Sequence, residues 1–307
     1  MPGKKGRGAS AFCGINLLKN MLGESFMKVL IIGAHPDDNE FRCGGIAYKY
    51  KQLGHEVQFL TVCDGCRGHQ SMTIEETRNR RRGEYMAVAE YLGIQYDCFQ
   101  IEDCTVVADL ETRRRMINYI RQANPDLIIT HRTNDYHADH RAVAQLVQDS
   151  AYLLIVPHEC PETPAMEKMP VIMFNEDNFT NPEFKADVVV DIDDVIEEKL
   201  KCADFHESQV YEWLRYEKGE TAPEDKTERY EKICRGGITF STKDKELDKF
   251  AFSYAQSYAK VAARFRKELK ATYGRKRGKK IRFAEAFMLS EYGTPLTEES
   301  KKTLFPF

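Results

Sequence analysis

Two short stretches of this sequence set imidazoles beside carboxylates. His35-Pro36-Asp37-Asp38 offers one imidazole and two carboxylates, and His137-Ala138-Asp139-His140 offers two imidazoles around one carboxylate. Both groups are zinc ligands, and a catalytic zinc keeps one coordination position open for water. The H-x-x-D spacing lets His35 and Asp38 converge on one cation, with Pro36 stiffening the turn, while Asp37 points elsewhere. Each cluster follows an apolar run of strand character, Val-Leu-Ile-Ile at 29–32 and Leu-Ile-Ile-Thr at 127–130. As a bland alternative, His35 would cap a loop and the two aspartates would cap the next helix.

The elements that must position these residues alternate along the chain. Strands are expected over residues 28–34, 56–62, 95–101 and 126–130. Helices are expected from the Cys43-Gly44-Gly45 stretch to about residue 53, and over 73–92, 110–123 and 138–153. The 73–92 helix has a capping-box signal, Thr73 with Glu76, and Gly93 as its stop. The alternation predicts an α/β, Rossmann-like fold: a mostly parallel sheet with helices on both faces. In such sheets ligands sit beyond the carboxyl ends of the strands. Both His/Asp clusters lie there, as does the turn-rich loop Asp64-Gly65-Cys66-Arg67-Gly68. Gly44 and Gly45 allow close helix–strand approach, or present backbone N–H groups to an anion at a helix N-terminus.

Four prolines between 157 and 170 mark an irregular stretch, followed by expected strands at 171–174 and 187–192 and a helix over 193–206. Residues 241–271 read as helical, with Phe250, Tyr254, Tyr258 and Val261 along one face. Residues 281–290 are apolar enough to pack back on the body, and 304–307 to dock. The expected organisation is a disordered N-terminal extension over 1–26, a catalytic domain over 27–215, and a helical C-terminal extension over 216–307.

HPDDNEFRCGG followed by HADH, each behind a strand, resembles the paired motifs of the PIG-L/LmbE-like zinc deacetylases, HPDDxExxCGG and HxDH. That family removes N-acetyl groups, mostly from N-acetylglucosamine-bearing conjugates. The resemblance is clear over residues 28–152 and weaker to Trp213. It implies one zinc per chain held by His35, Asp38 and His140. Asp37 would then be the general base that takes a proton from the activated water. His137 would stabilise the oxyanion or protonate the leaving amine. Asp139 would orient His137. The roles within HADH can be permuted on sequence order alone. Tyr136 is within reach of an oxyanion or is an ordinary loop tyrosine. The resemblance also makes Arg81, in an R-x-x-E pair with Glu84, and Asp103 substrate-binding candidates; the run Arg78, Arg80, Arg81, Arg82 reads equally as a solvated basic face. Asp64 and Arg67 are weaker sugar contacts.

The 307 residues carry a formal net charge of −3, which argues against nucleic acid as the main partner. No apolar run approaches the ~20 residues of a membrane span. Nine irregularly spaced cysteines do not read as a disulfide framework, so a reduced, cytoplasmic setting is expected. Cys63 and Cys66 form a lone C-x-x-C without a second pair. The expected substrate is an N-acetylated sugar or glycoconjugate, and homo-oligomerisation is left open. The rival readings are an amidase of a larger acyl- or thiol-sugar conjugate, a non-catalytic glycan-binding module, and, more distantly, a redox protein built on Cys63 and Cys66.

Overall fold

The structure, a computed structural model, describes residues 26–236 and 253–307. The expected N-terminal extension, apart from Phe26, and Phe250 with the first part of the 241–271 helix lie outside these residues.

Five strands form the parallel part of the sheet: β1 (Lys28–Gly33), β2 (Glu56–Cys63), the partly exposed edge strand β3 (Gln95–Ile101), β4 (Leu127–Thr130) and β5 (Val171–Asn175). Two further strands, β6 (Val188–Asp191) and β7 (Ala284–Gly293), complete seven strands in the order β3-β2-β1-β4-β5-β7-β6. β7 runs antiparallel to both β5 and β6. β1 sits between β2 and β4, with Val29 in register beside Val57 on one side and Leu127 on the other. β1 and β4 are neighbours, so their carboxyl ends bring the two His/Asp clusters together. This is where the strand order reverses, the usual place for a ligand in such sheets.

The helices follow the expected alternation: α1 (Asp38–Gln52), α2 (Ile74–Leu92), α3 (Leu110–Ala123), α4 (Ala138–Ala151) and α5 (Ile196–Phe205). α1, α2 and α5 bury one apolar face of the sheet, with Ile46, Val88 and Leu200 packed against Ile31 and Phe59. α3 and α4 bury the other, with Ile117, Ile120 and Val147 against Leu30 and Ile32. α2 starts at the full Thr73–Glu76 capping box and stops at Gly93, whose φ of 61° suits a glycine.

Two differences from the sequence reading matter for the site. First, α1 begins at Asp38, not at Cys43-Gly44-Gly45. The glycines are therefore inside the helix, and the Gly45 and Ile46 N–H groups donate to the carboxylate of Glu285, both at 2.8 Å. A side chain on Gly45 would stand 2.8 Å from Glu285 Oε1, so the glycine is needed for close approach of β7. Second, the chain after residue 216 is not only helical. It supplies α6 (Tyr254–Arg264), α7 (Arg266–Gly278) and α8 (Glu298–Leu304), but also β7, the strand between β5 and β6. The apolar stretch at 281–290 is thus largely a strand of the main sheet. The C-terminus docks as expected: Tyr50 Oη donates to the Leu304 carbonyl at 2.5 Å, and the Phe307 ring lies 5.0 Å from that of Tyr50.

Beneath α1, Glu285 also pairs with Lys199 of α5, and both are fully or almost fully buried. The Lys199 ammonium lies 4.1 Å over the Tyr258 ring. A buried pair of this kind costs desolvation and is tolerable only with its remaining hydrogen bonds satisfied, which the two helix N–H groups do. Among the described residues no helix is long and apolar enough to cross a membrane.

Candidate metal and active site

The loop after β1 turns sharply at Pro36, and α1 opens on Asp38. This geometry folds the Asp38 carboxylate back under the loop, where Oδ2 accepts from the Ala34 N–H at 3.0 Å and the His35 N–H at 2.7 Å. Around the same oxygen stand His35 Nδ1 at 3.4 Å and His140 Nε2 at 3.4 Å. His35 Nδ1 and His140 Nε2 are themselves 3.1 Å apart. These three donors form a near-equilateral triangle. Two ligand atoms on one tetrahedral zinc at ~2.0–2.1 Å would stand roughly 3.3–3.4 Å apart. The spacing and the donor set therefore fit a zinc-sized cation.

A fourth group was missed in the sequence. His131 follows directly on β4, with Nε2 3.2 Å from Asp38 Oδ2 and 3.1 Å from Ala34 N. Its ring stacks on that of His140 at 4.1 Å. Burial, then the neighbouring His140, push the His131 pKa down. Asp38 is held well below the usual carboxylate range: burial opposes its charge, but His140 and His131 outweigh that. Asp135 was also missed; its Oδ1 lies 3.1 Å from His140 Nδ1 and orients that ring. The signal for His131 was its place, one residue past a buried strand on the ligand-facing edge.

Asp37 stands beside this triangle without joining it. Its Oδ2 accepts from Arg81 Nη2 at 2.8 Å. The same guanidinium donates to the Pro36 and Gly65 carbonyls at 3.0 and 3.2 Å. Gly65 has a φ of 66°, and a side chain there would collide with Arg81, so that position needs a glycine. Arg81 is therefore buried and engaged by the protein rather than lying on a solvated face. Its helix partner Glu84 accepts from the Ser208 N–H and hydroxyl at 2.8 and 2.6 Å, anchoring the segment that bears Trp213.

His137 caps α4, its Nδ1 accepting the Asp139 N–H at 3.2 Å. The acceptor role at Nδ1 leaves Nε2 as the protonated nitrogen of a neutral ring. Burial, then the nearby His35 and His140, lower the His137 pKa. The Asp139 carboxylate, expected to orient His137, instead accepts from the Cys104 and Val106 N–H groups at 2.8 and 3.2 Å. It also lies 3.4 Å from His35 Nε2. Asp103 Oδ1 lies 3.2 Å from the same nitrogen. The two carboxylates thus fix His35 with its Nδ1 toward Asp38 and His140.

Asp103 is held far below the ordinary carboxylate range: burial opposes this, but His35, Arg81 and the Arg67 N–H overcome it. Asp64, a sugar-contact candidate, is used as a brace. Its carboxylate takes the Cys66 and Asp103 N–H groups at 3.0 and 3.2 Å and Arg78 Nε at 2.7 Å. Arg67 pairs with Glu102. Tyr136 is 73 % exposed at the rim, its ring 5.6 Å from that of His140. Cys63 is buried and donates to the Ala34 carbonyl at 3.0 Å.

These groups open on a cavity of about 480 Å³. His35, Asp37, Asp38, His137 and His140 line it, together with Trp213 and Leu214 from the segment after α5 and Tyr254 and Tyr258 from α6.

Fold and site together place imidazoles and carboxylates beyond the carboxyl edge of a mostly parallel sheet, where the ligands of such sheets bind. Residues 30–151 match the family model described as "PIG-L: GlcNAc-PI de-N-acetylase", and the chain carries a domain of this family. Among curated proteins, it is 26% identical over 195 residues to a 4-oxalmesaconate hydratase of Pseudomonas putida, covering 61% of this chain and 76% of that one. It is 27% identical over 193 residues to a diacetylchitobiose deacetylase of Thermococcus kodakarensis, covering 59% and 70%. The crystal structure of a 4-carboxy-2-hydroxymuconate hydratase from Pseudomonas putida has the same fold, with a TM-score of 0.65 at 20% identity over 89% of this chain and 99% of that one.

Proposed function

We propose that this protein is a metal-dependent N-deacetylase of an N-acetylglucosamine-type sugar or conjugate, with zinc held by His35, Asp38 and His140. The observation that carries this reading is the position of Asp37. It is a carboxylate outside the ligand triangle, on the cavity wall, aimed by Arg81 Nη2 at 2.8 Å. A divalent cation held by His35, Asp38 and His140 would supply Lewis acidity and lower the pKa of water beside it toward ~7.

Asp37 then takes a proton from the attacking water as general base. Asp103 and Asp139, both on His35 Nε2, keep its Nδ1 turned to the triangle, and Asp135 does the same for His140. His137 faces the cavity with Nε2–H and donates to the oxygen that gains charge as the acetyl carbonyl is attacked. The proton held by Asp37 passes to the leaving amine. Acetate and a free amino sugar result. Arg81 acts through Asp37 rather than on the sugar, and Asp103 through His35. The sugar is left to the other lining residues, among which Trp213 offers a ring face, and to Tyr136 at the rim.

A second reading is supported by the hydratase relative and by Arg42, Arg67 and Arg81 around the cavity. It is addition of water to an anionic unsaturated acid. Acetate release from a panel of N-acetylglucosamine conjugates including diacetylchitobiose, alongside hydration of unsaturated di- and tricarboxylates, separates the two. Zinc-restorable acetate release supports the deacetylase. Hydration without acetate release overturns it.

A further inference from the structure

On the far side of the His35 ring from Asp38, donors of a different chemistry meet at the cavity wall. Ligand atoms of Asp103, Cys104, His137 and Asp139 all lie within 4.8 Å of one another. Cys104 Sγ is 3.5 Å from Asp103 Oδ1. Asp103, Cys104 and His137 line the cavity, and Asp139 is buried next to them. Of the free cysteines among the described residues, Cys104 is the exposed one. Its φ of 64° lies in the left-handed region, which a cysteine occupies only when its surroundings hold it there. Asp139 does so, through the Cys104 and Val106 N–H groups.

The hydrolysis proposed above gives this thiol no part. It is not an activated nucleophile either: burial and then Asp103 push its pKa up to about 11. The negative field that keeps the proton on sulfur is also a field that attracts a cation. One thiol, one imidazole and two carboxylates make four ligands. Hard cations such as magnesium and calcium take oxygen donors, whereas a sulfur and a nitrogen in the set select zinc or its softer relatives.

We propose that Asp103, Cys104, His137 and Asp139 form a second, weaker site for a thiophilic divalent cation, with zinc the natural occupant. Binding forms a sulfur–metal bond and releases the thiol proton to solvent. It occupies His137 Nε2, so on the deacetylase reading zinc in excess inhibits the enzyme. That consequence rests on the reading under Proposed function; the binding itself does not.

Cadmium tests the site directly, because a cadmium–thiolate bond adds a charge-transfer band in the ultraviolet. The full chain is used with Cys13→Ser, since Cys13 lies outside the described residues. Titration should give two equivalents per chain, the second bringing the band. Cys104→Ser should remove the band and weaken the second equivalent by at least about tenfold. His140→Ala should lose the first equivalent and keep the band. A band unchanged by Cys104→Ser, or a single equivalent with Cys104 intact, overturns the proposal. A band lost together with the first equivalent in His140→Ala also overturns it, as a site separate from the first. Retention of both equivalents in His140→Ala tells against the functional reading alone and leaves the second site supported.

Discussion

Arg81 Nη2 holds Asp37 Oδ2 at 2.8 Å while its other donors close on the Pro36 and Gly65 carbonyls. One buried guanidinium thereby ties the loop after β1 to the loop after β2 and sets the direction of the proposed base. Arg81→Ala should keep the metal and lower kcat more than it raises KM, because it misaligns a group that acts in the transition state. A change confined to KM would return Arg81 to the substrate-binding role suggested by its R-x-x-E context.

Asp37→Asn keeps the shape of that arrangement and removes the base. Turnover should fall by ~10²–10⁴-fold with metal content unchanged. Steady-state kinetics beside elemental analysis checks both halves, and wild-type turnover in this variant would mean that the base lies elsewhere.

Asp64 gives a pH dependence with a definite sign. Burial opposes its charge, but Arg78 and the Cys66 and Asp103 N–H groups hold its folded pKa below the usual value. A depressed folded pKa contributes stability at pH values above the unfolded pKa of ~3.9, and that stability is lost as pH falls through the folded pKa. Wild type should therefore exceed Asp64→Asn in melting temperature at neutral pH. The gap should narrow as pH falls below about 4. A gap independent of pH would show that the brace does not depend on the charge.

The motifs were legible because chemistry and topology agree in them. His35, Asp37, Asp38 and His140 stand at the ends of strands whose apolar runs are unmistakable, and the alternation of strands and helices makes β1 and β4 neighbours. His131 was not legible, since a single histidine after a strand has no spacing partner; its role appears only when α4 lays His140 against it. Arg81 reads equally as a substrate-binding arginine and as part of a surface run, because four arginines crowd one helix, and only the fold shows that it turns inward. β7 was hidden for a different reason. An insertion between β5 and β6 is a long-range pairing, and residues 284–293 carry a buried Glu285 that reads locally as solvent-facing.

That glutamate yields a stability prediction. Glu285→Ala leaves Lys199 buried without its partner and two N–H groups of α1 without an acceptor. Breaking a buried pair from one side costs about 3–5 kcal/mol. Denaturant unfolding should show a loss of that order for Glu285→Ala and a smaller one for Glu285→Gln, which keeps an acceptor for the helix. Equal losses would mean that the acceptor role is immaterial.

The central claim is that His35, Asp38 and His140 jointly hold one divalent cation. Elemental analysis of the full chain, dialysed to strip weakly held ions, tests it most directly. The wild-type protein should carry about one ion per chain, as expected of three protein ligands and a water, and His35→Ala, Asp38→Ala and His140→Ala should each lose it while remaining folded. Full retention of the ion in all three variants would contradict the account.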